Sequence, residues 1–335
     1  MIAGCACGPG MVGGAFQHQG LAQPTATPFQ FVAVGDMPYS PQESALLSGE
    51  IKEAITAAQV PFLVHYGDFK PGNQSCTDPL LQQSRDQIYG LHAQVWFTPG
   101  DNDWTDCDRQ GLAEPKSELD RLDYLRQIFF SPTVGLSSKG EIQIDQPENA
   151  RWWHQNVLFV TLHVVGTSNG RTQILKDDPE QAMAAVDLRD QRNQHWLQDS
   201  FAEATSQQAA AVVVVMQADI TQPAAEADCS STPRVCDAYE PYRHQLVQAA
   251  AQFRNPDQRL KPVLLLHGDT FPYCWDKTFG ADIAPNLWRL NAWGDFQQPA
   301  DVTLIQVQPQ DSEQPFVAKT LSHQIQPALT CSARF

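Results

Sequence analysis

A chain of 335 residues with 42% apolar content and a formal net charge of −16 can bury a sizeable core, in one large domain or two small ones. The acidity argues against a nucleic-acid backbone as partner. It leaves room for an anionic small substrate, because a bound metal can reverse the local field. No apolar run approaches the roughly 20 residues of a membrane-spanning helix, so no transmembrane helix is expected.

Residues 1–28 are rich in Gly, Gln, Ala, Thr and Pro and lack periodicity, which reads as a disordered signal or tether remnant. Within them Ile2-Ala3-Gly4-Cys5 resembles the lipobox of bacterial lipoproteins, which implies a lipid anchor through Cys5. Only Met1 lies upstream, where a signal peptide should be, so either the start is placed late or the match is chance. The rest, residues 29–335, is expected to be a single domain.

The first strand is Phe29–Val34. Pro41 opens a helix to about Gln59, with Leu46, Leu47, Ile51 and Ile55 on one face. A strand at Pro61–Tyr66, a helix from Pro79 to Leu91 and a strand at Gln94–Thr98 follow. This alternation argues for an α/β fold with a parallel or mixed sheet and helical crossovers. Ser117–Phe130 reads as a helix and Ser131–Gln146 as a long connection. Arg151–Gln155 and Val157–Val165 read as paired strands leading to the polar loop Gly166–Gly170, from which His163 and Asn169 either reach a site or serve packing. Asp177–Ser206 reads as one long amphipathic helix or two, Val212–Met216 as a strand, Tyr239–Phe253 as a helix and Val263–His267 as a strand. Asp282–Arg289 is expected as a short helix, and Val302–Val307 and Pro315–Leu321 as closing antiparallel strands.

Four apolar strands end in Gly-Asp, at Asp36, Asp68, Asp101 and Asp269, and a fifth ends at Gln217-Ala218-Asp219. In open α/β sheets ligands bind outside the carboxyl ends of the strands. Glycine permits a sharp turn there and close approach to a ligand, and aspartate offers a hard oxygen. Clustered carboxylates repel one another and resist desolvation unless a cation sits among them. Eight cysteines without zinc-type spacing suggest disulfides and an oxidising compartment. Cys76–Cys107, Cys229–Cys236 and Cys274–Cys331 are candidates among fifteen pairings of six cysteines. The expected location is extracytoplasmic: periplasmic, cell-surface or secreted.

The order of these motifs resembles the calcineurin-like metallophosphoesterases, with D-x-H, G-D-x-x-D, G-N-H-D/E, a strand ending in His, and G-H-x-H. Asp36, Asp68, Gly100-Asp101-Asn102-Asp103, Gln217 and Gly268-Asp269-Thr270-Phe271 stand on those motifs. The resemblance implies a sandwich of mixed sheets flanked by helices, α/β/β/α, and hydrolysis of a phosphate mono- or diester by a metal-activated water. Pro38, Asn102, Gln217, Asp269 and Phe271 stand where the family has histidine, and Lys70 and Pro71 follow where its second acid belongs. The implied metal set is therefore Asp36, Asp68, Asp101, Gln217 and Asp269, all oxygen donors. Such a set suits Mg, Mn or Ca better than Zn or Fe. Asn102, His267 and Asp103 are the candidate catalytic residues, and Lys70, Asn102 and Tyr39 the candidate contacts to a small phosphorylated substrate. His267 is either a general acid or a packed strand-end histidine, and Lys70 pairs either with phosphate or with Asp68. The alternative to an enzyme is a catalytically silent relative that binds a ligand or a structural ion at the cell envelope.

Overall fold

The computed structural model describes residue 1 and residues 27–130, 140–221 and 237–331. The proposed lipobox, most of the tether and the Cys229–Cys236 loop lie outside the described residues. Two mixed sheets stack face to face. The first contains β1 (Phe29–Val34), β2 (Leu63–His65), β3 (Val95–Phe97), β11 (Thr303–Val307) and β12 (Phe316–Thr320), in the order β12-β11-β1-β2-β3. The second contains β4 (Gly140–Gln143), β5 (Gln146–His154), β6 (Val157–Thr161), β7 (Ala211–Val215), β8 (Val263–His267), β9 (Cys274–Asp276) and β10 (Leu287–Asn291), in the order β4-β5-β6-β7-β8-β10-β9.

Alternation along the strands explains the layers. Phe31, Ala33, Val64, Val213, Val215, Leu264 and Leu266 fill the space between the sheets. Val32, Val34 and Leu63 face the other way, onto the helices around Leu47, Ile55, Leu81 and Leu125. Val212, Val214 and Leu265 pack outward against Trp196, Leu197 and Leu246 on the helices Pro179–Ser206 and Glu240–Gln252. The result is the α/β/β/α arrangement. Helix starts follow the sequence: Ser40, Ser117 and Asp178 each accept a bond from a backbone N–H three residues on, satisfying donors that the first turn leaves open.

Several elements differ from the sequence reading. The expected helix at Asp282–Arg289 is absent, and Leu287–Asn291 is instead the interior strand β10, between β8 and the edge strand β9 and parallel to β8. Its side chains are buried on both faces, so alternation could not mark it. β4 lies within the stretch read as a connection, and β9 is a further strand that the pattern does not announce. The first helix carries a π turn at Leu47–Ile51. The loop Gly166–Gly170 is a left-handed turn, with Thr167, Ser168 and Asn169 all at φ between 53 and 57°. No helix among the described residues is long and apolar enough to cross a membrane.

Register brings the strand ends level. Val34 pairs with His65 and His65 with Phe97, so Asp36, Asp68 and Asp101 follow their strands side by side. In the second sheet Val215 pairs with Leu266, which brings Gln217 and Asp269 to the same edge. Cys76 and Cys107, in the loops after the neighbouring strands β2 and β3, form a disulfide, as do Cys274 and Cys331.

Candidate active site

The carboxyl ends of both sheets meet at one acidic rim. Asp36, Asp68 and Asp269 have φ of 50, 56 and 64°, the left-handed region that Asp tolerates better than most residues. Gly67 has φ 101°, and a Cβ on it would lie 2.1 Å from Gly100 N. No other residue fits between the β2 and β3 turns. The two sheets are joined directly: the Asp269 N–H donates to Asp36 Oδ2 (3.0 Å) and the Asp295 N–H to the Asp36 carbonyl (3.1 Å).

At the rim, the Asp68 carboxylate accepts four hydrogen bonds. Its Oδ1 accepts from Asn102 N (3.1 Å), and its Oδ2 from Asn102 Nδ2 (3.0 Å), Gln217 Nε2 (3.2 Å) and Tyr39 Oη (3.2 Å). Gln217 Nε2 also donates to Asp101 Oδ1 at 3.0 Å. Its Oε1 accepts the Gly166 N–H at 2.7 Å, which fixes the amide orientation. Gln217 thus turns nitrogen, not oxygen, toward the acids, contrary to the expectation that its oxygen faces a cation. Asn102 likewise presents its amide nitrogen.

Burial and mutual repulsion mark the cluster. Burial first, and Asp295 next, hold the Asp36 carboxyl well above the ordinary range. Burial followed by Asp101 does the same at Asp68 and at Asp269. Asp103 is pushed up to about 7 by burial, against the pull of backbone N–H groups. Burial and then Asp68 keep the Tyr39 phenol protonated far above its usual value.

The remaining candidates fall into place around this rim. Asp103 accepts from Asp68 N (2.9 Å), Phe69 N (3.0 Å) and Gly100 N (2.8 Å). It fastens the β2 and β3 turns to each other rather than facing a ligand. Lys70 is 1% exposed and donates to the Pro71 carbonyl at 3.1 Å, lying among Asp103, Asp106 and Asp68 instead of reaching outward. His267 is fully buried. Its Nδ1 bonds Gly268 O (2.8 Å) and its Nε2 accepts from Arg289 Nε (2.8 Å), while burial lowers it to about 4. Held neutral, with both nitrogens engaged, it does not supply a proton to the rim, and the general-acid expectation gives way to the packed one. His163 is also buried, and neither ring nitrogen has a hydrogen-bond partner among the described residues. Asn169 serves its own turn, bonding Val165 N and Asp190.

Three further residues of the rim are ones that the sequence does not single out. Thr167 Oγ1 donates to Asp101 Oδ2 (2.8 Å). Asp106 is pushed up to about 7 by burial and then by Asp101. Asp295 follows β10 through Trp293-Gly294. It is a fifth strand-Gly-Asp ending, hidden by reading its strand as a helix, and it too has positive φ (48°).

Among the described residues no group of three or more His, Cys, Asp or Glu side chains is set to hold a metal ion. Asp36 Oδ1, however, is buried with no hydrogen-bond partner among them. A Cβ placed on Gly166 would lie 2.4 Å from Asp101 Oδ2 and 3.1 Å from Asp269 Oδ2, so carboxylates of the two sheets crowd one backbone atom. Asp68 and Asp101 are occupied by protein donors, whereas Asp36 and Asp269 keep open oxygens. That donor set fits a hard ion of the kind held by one or two carboxylates and completed by water and substrate. The acids that keep oxygens open for an ion are accordingly fewer than the sequence implied.

No protein-family model matches the chain, and no curated protein matches it. Among solved structures, that of PhoD is 11% identical, covers 85% of this chain and 65% of its own, and superposes with a TM-score of 0.48. GAP50, the anchor in the inner membrane complex of Plasmodium, is 12% identical, with 91% and 90% coverage and a TM-score of 0.44. The chain thus spans slightly under two thirds of the length of the PhoD chain.

Proposed function

We propose that the protein hydrolyses a phosphate mono- or diester at this rim with the help of one hard divalent ion, Mg, Mn or Ca, carried by Asp36 and Asp269. The observation behind this reading is the unpartnered buried oxygen of Asp36 inside a ring of strand-end aspartates. A cluster of that charge repels a phosphate ester unless a cation neutralises it. The chemistry such an ion supplies when bound is charge neutralisation and a more acidic water. The chain's own part is orientation. Tyr39 Oη, Asn102 Nδ2 and Gln217 Nε2 converge within 3.2 Å of one point, Asp68 Oδ2. Three donors so arranged suit a phosphoryl oxygen entering beside that carboxylate. Tyr39, kept protonated, contributes a hydroxyl hydrogen bond at that point. The two disulfides support an oxidising, extracytoplasmic location.

One observation favours the second reading, a silent ligand-binding relative. The amides of Gln217 and Asn102 already satisfy Asp68 and Asp101, standing where a second cation would. Turnover of p-nitrophenyl phosphate and its bis-ester, screened across Mg, Mn, Ca and Zn, separates the two. Ion-dependent hydrolysis that Asp36→Asn abolishes supports the enzyme. Ion binding without hydrolysis of either ester supports the silent relative, and neither binding nor hydrolysis refutes the enzyme together with the ion-binding form of the silent relative.

A further inference from the structure

Beside the rim, on the helix side of the first sheet, lies a cavity of about 760 Å³. It opens where the turns after β1 and β2 leave the sheet, and Tyr39 forms part of its wall. Tyr39 also reaches Asp68 and Asn102 through its hydroxyl, at 3.2 and 3.3 Å, so cavity and rim share one side chain. A larger cavity, about 980 Å³, opens at the opposite end of the second sheet and includes none of the rim residues.

The lining of the smaller cavity is unusual for so acidic a chain. No charged residue lines it among the described residues, while Ser44, Ser48, Asn73, Gln74, Gln83 and Gln87 all do. Glu43, on the same helix, is turned aside, its carboxylate accepting the Tyr39 N–H at 2.6 Å. One wall is prearranged: Gln87 Nε2 donates to Ser44 O (2.9 Å), Ser44 Oγ (3.0 Å) and Ser48 Oγ (2.8 Å). Ser48 sits in the π turn Leu47–Ile51, a helix distortion that often marks functional positions. The rest of the polar lining is less committed. Asn73, Gln74 and Gln83 are exposed, and no hydrogen bond of their side-chain amides is found among the described residues. Amides and hydroxyls that both donate and accept, next to an aromatic edge, match alternating hydroxyls and C–H faces. They offer no countercharge to an ionic group, and Pro38, Pro41, Phe69 and Leu80 complete the lining with apolar surface that suits the C–H faces.

We propose that the alcohol half of the substrate is a neutral polyhydroxylated group, a sugar or polyol, seated in this cavity with its phosphoryl end at Tyr39 and the rim. The inference rests on the phosphoesterase reading for the phosphoryl half only. The test uses the full protein with Mg²⁺ and four probes: inorganic phosphate, phenyl phosphate, glucose 6-phosphate and the uncharged methyl glucoside. Affinities of the three anions come from calorimetry, and glucoside binding from ligand-observed NMR. Glucose 6-phosphate should bind about tenfold or more tighter than inorganic phosphate, and the glucoside should give a signal. Gln83→Leu and Asn73→Leu, on different elements, should each lower the glucose 6-phosphate affinity about threefold or more, the worth of one neutral hydrogen bond. Neither should change the affinity for inorganic phosphate. Glucose 6-phosphate binding no tighter than phenyl phosphate, or both leucine variants binding it as the wild type does, overturns the proposal. The two readings fail separately. A glucoside signal that the leucine variants abolish, without hydrolysis of any ester, removes the phosphoesterase and keeps the cavity. Hydrolysis of p-nitrophenyl phosphate without a glucoside signal does the reverse.

Discussion

Asp103→Ala tests whether this residue ties the rim together rather than serving the chemistry. The carboxylate accepts three backbone N–H groups, from Asp68, Phe69 and Gly100, at 2.9, 3.0 and 2.8 Å. It is fully buried, so water cannot replace it. Alanine leaves three donors unsatisfied, at about 1–2 kcal/mol each once relief of the buried charge is allowed for. The expected loss is about 3–6 kcal/mol, which over a urea m-value of about 3 kcal/mol/M lowers the midpoint by about 1–2 M. The assay is urea unfolding at pH 7 followed by tryptophan fluorescence. Asp103→Asn keeps one acceptor oxygen and should lose about half as much. A midpoint drop under about 0.3 M with an unchanged m-value would mean that the β2 and β3 turns are held by something else, and the clamp argument would fail.

Other perturbations follow from the same geometry. Glu118, buried against Asp108, has its carboxyl raised to about 10 from an ordinary 4.5, chiefly by burial. A raised folded value favours folding below the unfolded pKa and loses that benefit as pH climbs toward the folded one. Glu118→Gln should therefore flatten the decline of stability between about pH 5 and 10, read as melting temperature against pH; an unchanged slope contradicts the shift. Removing the Cys76–Cys107 disulfide, which closes a 31-residue separation, by a double serine variant should cost about 3–4 kcal/mol in a chain-entropy treatment, measured by urea unfolding. Gln217→Ala should lower the melting temperature and strengthen repulsion between Asp68 and Asp101, because it removes the donor they share. No change on differential scanning calorimetry would show that the bridge does not form.

Much of this is legible in the sequence, for identifiable reasons. Strand-Gly-Asp endings are local: the glycine is needed at the turn itself, and level registers then align the acids. Cys76 and Cys107 are readable once β2 and β3 are taken as neighbours. Asp295 is not, because Leu287–Asn291 is buried on both faces, which erases the period that separates strand from helix. The side chains of Gln217 and Asn102 mislead because an amide has two ends. Only the Gly166 N–H, 51 positions earlier in the chain, decides which end of Gln217 faces the acids. His267 is ambiguous for a similar reason, since its partner Arg289 lies on the strand that reads as a helix. The sugar-type cavity has no sequence signature, for its serines and amides come from two helices and a loop.

In the proposed site the rim acids share a cation held through Asp36. Calorimetric titration of the chelator-treated protein with Mg²⁺, Mn²⁺ and Ca²⁺, beside the Asp36→Asn variant, tests it most directly. Saturable binding of at least one of these ions by the wild type, lost in the variant, is the expected result. No binding of any of them, or equal binding by both proteins, would contradict it.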